Sequence, residues 1–181
     1  MMTDMGLHLD NLDKMTRQYM TEELERDVKN GRLYLSTRLS EKGKKDYASL
    51  LRQAFWNGND ETLAQGLRSD GRLMSIERKR KRGGGATNAR VPAIAAETLA
   101  EGEFNRFYIR GLCLRAIEEG IPELVIYRAK EVANPRPESQ RMIGNTISAK
   151  ALLDDLRAHI GVDTALGLPA GPNSGLSVRL P

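Results

Sequence analysis

The chain has 181 residues with a formal net charge of +4, and it contains a single Cys. This length fits one domain, and it is sufficient to bury a hydrophobic core without disulfides or metals. One Cys cannot form an internal disulfide, which favours a reducing, cytoplasmic setting. No stretch approaches 18 consecutive apolar residues, and the N-terminal residues lack the pattern of a signal peptide, so we expect no contact with a membrane.

The positive charge is concentrated in one stretch of the chain. Residues 72–90 contain seven Lys or Arg and one Glu, for a charge of +6, which leaves −2 for the rest of the chain. Basicity is therefore a property of this segment and not of the whole fold, and it is the main clue to function.

The N-terminal part predicts an arm followed by a helix. Residues 1–20 are rich in Met and only weakly periodic, which indicates an arm or a short helix that packs on another element or on a partner. Thr21 is a candidate N-cap, because two Glu follow it in the first turn and Lys29 suits the negative end of the helix dipole. Gly31 ends this segment.

Residues 40–68 predict a helix hairpin. Ser40 and Asp60 are candidate N-caps for two helices whose apolar residues recur at helical spacing, and a turn that contains Gly58 separates them. The hairpin has the length of a helix-turn-helix motif. In such a motif the N-terminal end of the second helix contacts the bases. Here that end carries two acidic residues, Asp60 and Glu61, which DNA would repel. We therefore favour a core-forming hairpin over a DNA reader.

The basic segment at 77–90 is the sharpest feature of the sequence. It begins as a strand and continues into Arg78, Lys79, Arg80, Lys81, Arg82, three glycines and Arg90. We predict a strand that leaves the body of the protein and becomes a mobile loop. Five consecutive cations repel one another, and contact with the phosphates of a nucleic acid relieves that repulsion. The alternatives are a solvated loop and a loop that docks on an acidic protein.

Residues 98–120 predict the central helix of the domain. Thr98 and Glu101 have the spacing of a capping box, and Gly120 suits the C-terminal end. Nine apolar residues cover most of the circumference, so other elements must surround the helix. Cys113 lies within it and is interpreted as a structural thiol and not as a nucleophile.

Two pairs of cations elsewhere are candidate anion contacts. Arg106 and Arg110 lie one turn apart on the central helix, and the alternative is that arginines there pair with Glu at helical spacing, as in Glu103–Arg106 and Arg115–Glu119. Arg128 and Lys130 follow the apolar run 124–127, which predicts a strand covered on both faces. The alternative for them is a solvated strand end.

The remainder of the chain predicts one more helix and one more strand. Every second residue in 134–137 is Pro, and a Pro disfavours the helical conformation of the residue before it, so we expect an extended or turning path. Ser148 caps a helix that Gly161 ends, and residues 161–175 are rich in Gly and Pro, which indicates a loop. Residues 176–180 alternate as in a half-buried strand.

The pattern as a whole predicts an α+β, helix-rich single domain with a central apolar helix (98–120), a helix hairpin (40–68) and a small sheet. We divide the chain into an N-terminal arm at 1–20 and a domain at 21–181 that carries the basic Gly-rich loop at 77–90. One Cys and two scattered His lack the ligands of a zinc site, and no cofactor or catalytic motif is present. We therefore expect no metal, no cofactor and no enzymatic activity.

The sequence favours a nucleic-acid-associated protein that is one subunit of a larger assembly. Its basic loop would contact the phosphate backbone without sequence preference, and the protein would form a homo-oligomer or bind other proteins. The alternative is a structural or scaffolding subunit of a virion or of a mobile-element assembly. In that case the arm, the basic loop and the C-terminal tail would make protein–protein contacts, and the location would be the virion in place of the cytoplasm.

Overall fold

A computed structural model describes residues 6–162, 164–169 and 174–181. Within these ranges the chain is a helix-rich α+β domain with two small antiparallel sheets, which confirms the predicted fold class. The helices are α1 Lys14–Lys29, α2 Glu41–Asn57, α3 Asp60–Arg68, α4 Ala95–Glu118, α5 Pro137–Met142 and α6 Ala149–Ala158. The strands are β1 Ile76–Arg80, β2 Ala86–Arg90, β3 Glu123–Arg128, β4 Thr146–Ser148 and β5 Leu176–Arg179.

Helix α1 begins at Lys14 and not after Thr21. Its N-cap is Asp13, whose carboxylate accepts the backbone N–H of Thr16 at 3.0 Å, whereas Thr21 lies inside the helix and donates to the carbonyl of Arg17. Residues 14–20, which the sequence assigned to an arm, are therefore the first two turns of α1. Residues 1–5 of that arm lie outside the described residues.

Helix α1 packs closely on α4 at Gly111. A Cβ at this position would lie 2.8 Å from the backbone nitrogen of Met20, closer than two such atoms approach, so only glycine permits this contact. Met20 is fully buried there. The close approach brings the polar residues of α1 within reach of α4.

The helix hairpin at 40–68 is confirmed as α2 and α3, and its apolar side chains lie in the core. Ser40 caps α2 as predicted, accepting the N–H of Gly43 at 3.1 Å. The cap of α3 is Asn59 and not Asp60, because Asn59 and Thr62 satisfy each other's backbone N–H groups. Asp60 is buried and instead accepts the N–H of Leu7 at 3.3 Å.

Helix α4 is the central core element, as predicted. Its side chains are buried on several sides against α1, α3 and α6, and among the fully buried ones are Phe104, Tyr108, Ile109 and Leu112. It begins at Ala95, with Ile94 as an N-cap that makes no side-chain hydrogen bond, so the predicted capping box at Thr98 is wrong. Thr98 donates its own N–H to the carbonyl of Ile94 within the first turn. Gly120 follows the helix with φ +74°, as expected for its end.

The three-stranded sheet has the order β4-β3-β5 and is antiparallel throughout. Leu124 and Ile126 of the central strand are buried, while Val125 and Tyr127 are half-buried, so the strand is fully covered on one face only. The expectation of two covered faces is therefore wrong. Strand β5 is more buried than its alternation predicts, and Asn105 of α4 hydrogen-bonds Leu176 and Ser177.

The C-terminal third contains one helix that the sequence did not predict. Arg136 has an extended backbone before Pro137, as predicted, and α5 begins at that proline. Ser148 caps α6 as predicted, accepting the N–H of Ala151 at 3.2 Å. Part of the predicted loop at 161–175 lies outside the described residues. Among the described helices, none combines the length and the apolar character needed to cross a membrane.

Candidate nucleic-acid interface

The basic segment forms a regular β-hairpin. β1 and β2 pair in antiparallel register from Ile76–Arg90 to Arg80–Ala86, so residues 77–90 form two paired strands and a turn in place of the loop that we predicted. The turn is closed by the N–H of Lys81, which donates to the carbonyl of Gly85 at 3.0 Å. Gly83, Gly84 and Gly85 all have positive φ, a conformation that strains residues with a side chain. The three glycines therefore build a tight turn.

The two faces of the hairpin carry different charges. Directly opposed residues of an antiparallel pair point to the same side of the sheet, and neighbours along a strand point to opposite sides. One face, here called the arginine face, is made of three opposed pairs: Ile76–Arg90, Arg78–Asn88 and Arg80–Ala86. The other, called the anchored face, is made of Glu77–Ala89 and Lys79–Thr87. All three strand arginines thus share one face, which has no acidic residue.

The anchored face contacts the body of the protein. Arg38 donates to the Glu77 carboxylate at 2.8 Å, and Lys79 lies 3.8 Å from the same carboxylate. The hydrogen bond from Arg38 holds the pKa of Glu77 below its ordinary value. The backbone adds a second connection, since the N–H of Met74 donates to the carbonyl of Arg38 at 2.8 Å. These contacts fix which face of the hairpin is turned towards solvent.

The six cations predicted to bind nucleic acid are all exposed and all belong to this hairpin. They are Arg78, Lys79, Arg80, Lys81, Arg82 and Arg90. Within the described part of the chain, Lys79 alone among them makes an ion pair. Arg78 makes a long contact with the side-chain oxygen of Asn88 at 3.5 Å. The hairpin therefore gathers a strong positive charge that the protein itself leaves almost uncompensated.

Arg110 of α4 does not share this exposure. Its guanidinium donates to Asp27 at 2.7 and 2.8 Å and to Glu23 at 3.0 Å, all in the interior. Glu23 also accepts from Arg157 of α6. Burial alone would raise the pKa of Glu23, but the hydrogen bonds from Arg157 and the charge of Arg110 outweigh it and lower the pKa. Arg110 and Arg157 thus share Glu23 and connect α1, α4 and α6, and the described hydrogen bonds of Arg110 all go to the two buried carboxylates.

Arg106 is occupied by backbone carbonyls. It donates to Val162 at 3.1 Å and to His159, which fixes the chain beyond α6 to α4. The alternative of an ion pair at helical spacing is confirmed for Arg115 and Glu119 at 3.0 Å, and not for Glu103 and Arg106, between which the described structure has no ion pair.

The cations after β3 also have partners inside the protein. Arg128 donates to the carbonyl of Ser174 at 2.7 Å and to the side chain of Gln140 at 3.2 Å. Lys130 pairs with Glu101 of α4 at 2.6 Å. Among the described contacts, none connects either residue to the hairpin, so the structure does not bring the two groups of candidate residues together.

Sequence reasoning missed the residues that orient the hairpin. Arg38 lies far from the basic segment in the sequence, and its pairing with Glu77 depends on the tertiary fold. Asn88, at the centre of the arginine face, is an ordinary polar residue by sequence. One sequence signal for the two faces was available. In a strand, neighbouring residues point to opposite faces, so Arg78 and Arg80 lie on one face and Lys79 on the other.

Apart from the hairpin, a cleft of about 350 Å³ lies beside α4. Residues 34–38 and the C-terminal segment form its other walls, and Glu103 lines it. Burial raises the pKa of Glu103 to about 7. Cys113 lies elsewhere on α4 and is fully buried, which raises the pKa of its thiol well above the usual range. Among the described residues, no three Cys, His or acidic side chains are grouped closely enough to hold a metal ion.

No model of a protein family matches this chain, and no curated protein or solved structure is significantly similar to it.

Proposed function

We propose that the chain is a non-enzymatic nucleic-acid-binding protein that belongs to a larger cytoplasmic assembly. The hairpin at 76–90 is the binding element. One observation carries the proposal: six exposed cations lie on a single hairpin, and among the described ion pairs one acidic side chain, Glu77, contacts one of them, Lys79.

Electrostatics favours a polyanion as the partner of this element. Cations placed on phosphates release condensed counterions, and this release supplies most of the affinity of non-specific binding. The rest of the chain carries a net charge of −2, so it neither explains nor neutralises the charge of the hairpin. The six side chains have no structural task in the core, which leaves them available for a ligand.

The experiment is a binding titration of purified, nuclease-treated protein at low salt. Labelled duplex DNA, single-stranded DNA and RNA are the probes, and fluorescence anisotropy is the readout. The test variant replaces Arg78, Lys79, Arg80, Lys81 and Arg82 by Gln. We expect the wild-type protein to bind at least one probe, and the variant to lose most of that affinity because its phosphate contacts are gone.

Three surface lysines outside the hairpin give a control for the loss of positive charge elsewhere. Lys14, Lys29 and Lys150 are exposed, and their replacement by Gln removes charge without touching the hairpin. This variant should bind nearly as well as the wild type. If the wild-type protein binds none of the probes at low salt, or if the control loses as much affinity as the hairpin variant, the proposal is wrong.

A second candidate function is that of a scaffolding subunit in a virion or a mobile-element assembly. The observation that favours it is the exposure of large apolar side chains: Trp56 at the end of α2 is 76% exposed, and Ile94 beside the hairpin is 61% exposed. Exposed tryptophans are frequent anchors of protein interfaces. In this case Trp56→Ala should abolish co-assembly with partner chains, measured by co-purification, and should leave nucleic-acid binding unchanged.

A further inference from the structure

We infer that the nucleic acid is duplex DNA and that the hairpin enters its major groove with the arginine face towards the base edges. This inference rests on the proposed function and adds to it the class of nucleic acid and the orientation of the hairpin. It is carried by the pairing register, by the contacts of Glu77 and by the residue types of the hairpin.

The hairpin is one-sided. Arg78, Arg80 and Arg90 share the face that is directed away from the body, whereas Lys79 is on the anchored face and lies 3.8 Å from Glu77. Glu77 itself is fixed by Arg38. A ligand that approaches from solvent therefore meets the arginines first. A loop without regular structure would make no such distinction between Lys79 and its neighbours.

The shape of the hairpin fits the groove of B-form DNA. A major groove about 12 Å wide and 8.5 Å deep admits a two-stranded β-ribbon. Alternate residues on one strand lie about 7 Å apart, so Arg78 and Arg80 extend from neighbouring points of the same face. Within the described structure the hairpin pairs with no third strand, so both of its edges are available to the walls of the groove.

The residue types disfavour the other nucleic acids. Proteins bind single strands largely by stacking bases on aromatic side chains, and residues 57–103 contain no Phe, Tyr or Trp. Double-stranded RNA has a deep and narrow major groove that side chains do not read. Duplex DNA is the remaining class that a rigid ribbon without aromatic residues can engage.

The arginine face also carries the side chains that read base edges. Arg forms paired hydrogen bonds with O6 and N7 of guanine, and Asn does so with N6 and N7 of adenine. Asn88 lies opposite Arg78 on this face. Lys81 and Arg82 belong to the turn at the tip, where they can reach phosphates. The hairpin therefore combines groups for the bases with groups for the backbone.

The test compares two neighbouring cations on opposite faces. Arg80→Gln and Lys79→Gln each remove one positive charge from an exposed side chain, and neither should change the fold. We expect Arg80→Gln to weaken binding to a GC-rich duplex about fivefold or more, the effect of losing a base contact. Lys79→Gln should weaken it less than about twofold, since only screened long-range attraction is lost. Equal losses in the two variants would overturn the orientation.

A modified duplex tests the groove. Replacing guanine by 7-deazaguanine removes the N7 acceptor from the major groove and leaves base pairing intact. The wild-type protein should bind this duplex more weakly than the unmodified one, and the difference should be smaller for Arg80→Gln, in which Arg78 and Arg90 remain on the same face. Indifference of the wild type to the modification would contradict insertion into the major groove.

The choice of probe separates this inference from the proposed function. If the wild-type protein prefers single strands or duplex RNA over duplex DNA, the inference fails and the proposed function stands. If it binds no nucleic acid at low salt, both fail. Preference for duplex DNA, with the asymmetry between Arg80 and Lys79, supports both.

Discussion

Glu103 is the most unusual single residue in the interior. It lies on α4 and is nine-tenths buried, an environment that disfavours a charged carboxylate. Burial raises its pKa to about 7; the charges of Arg106 and Arg110 act in the opposite direction and only in part offset the burial. The folded protein therefore favours the protonated carboxyl group over the carboxylate.

This environment predicts a pH-dependent stability. In the unfolded chain the pKa of Glu103 is near 4.5, so between pH 4.5 and about 7 the unfolded state ionises more readily than the folded state. Stability from this group is complete below pH 4.5 and is lost as pH rises through about 7. At about 1.4 kcal/mol per pH unit, the full loss between pH 4.5 and about 7 amounts to roughly 3–4 kcal/mol.

Asp60, whose pKa is raised to about 6, adds a pH dependence of the same sign. Comparing wild type with Glu103→Gln removes this contribution, because both proteins contain Asp60. Urea unfolding of wild type and variant at about pH 5 and about pH 8 gives the two free-energy differences. The variant should gain about 2–3 kcal/mol relative to the wild type at the higher pH. If the difference in unfolding free energy between wild type and variant is the same at both pH values, ionisation of Glu103 does not destabilise the folded protein.

Helix α4 is the element on which the others pack, and Phe107 tests that role. Its ring is 2% exposed and lies 5.3 Å from the ring of Phe55 on α2. Phe107→Ala should lower the free energy of unfolding by about 3–5 kcal/mol, the usual cost of truncating a buried aromatic side chain. Arg78→Ala on the exposed hairpin is the control and should change it by less than about 0.5 kcal/mol. An unchanged thermal melt for Phe107→Ala would contradict the central role of α4.

The buried ion pairs of Arg110 should contribute more to stability than an ion pair at the surface. Arg110→Ala would leave the buried carboxylate of Asp27 without this partner and that of Glu23 with Arg157 alone, and breaking a buried ion pair costs about 3–5 kcal/mol. Arg52 of α2 pairs with Glu25 at the surface, and Arg52→Ala should cost no more than about 1 kcal/mol. Chemical denaturation measures both, and similar values for the two variants would show that the network adds little to stability.

Helical periodicity predicted the main elements, and tertiary contacts decided their ends. The apolar spacing of α2, α3, α4 and α6 was sufficient to locate them. Asp13 displaced Thr21 as the cap of α1, and Asn59 displaced Asp60, because more than one nearby side chain can cap a helix and the local pattern does not rank them.

The hairpin escaped prediction for a different reason. Lys, Arg and Gly favour strands poorly, so β1 and β2 form through their cross-strand pairing and the positive φ of three glycines. The six hairpin cations could be selected from the sequence because they are consecutive or nearly so. Their separation into two faces could not, since it depends on the register and on the pairing of Arg38 with Glu77.

The whole molecule divides its charge between two parts. A body with a net charge of −2 carries a hairpin segment, residues 72–90, with a charge of +6. Since the body repels a polyanion weakly and the hairpin attracts it strongly, association should be directed to the hairpin. The exposed hairpin is attached through few contacts, so its residues can be changed without disturbing the core.

The salt dependence of binding tests the central claim most directly. The logarithm of the affinity for duplex DNA should fall linearly with the logarithm of the salt concentration, with a slope near −0.9 for each phosphate neutralised. Replacement of Arg78, Lys79, Arg80, Lys81 and Arg82 by Gln should flatten this slope by about one contact for each of these cations that lies on a phosphate, five at most. A wild-type slope near zero, or a slope that the five substitutions leave unchanged, would contradict the assignment of the hairpin as the nucleic-acid-binding element.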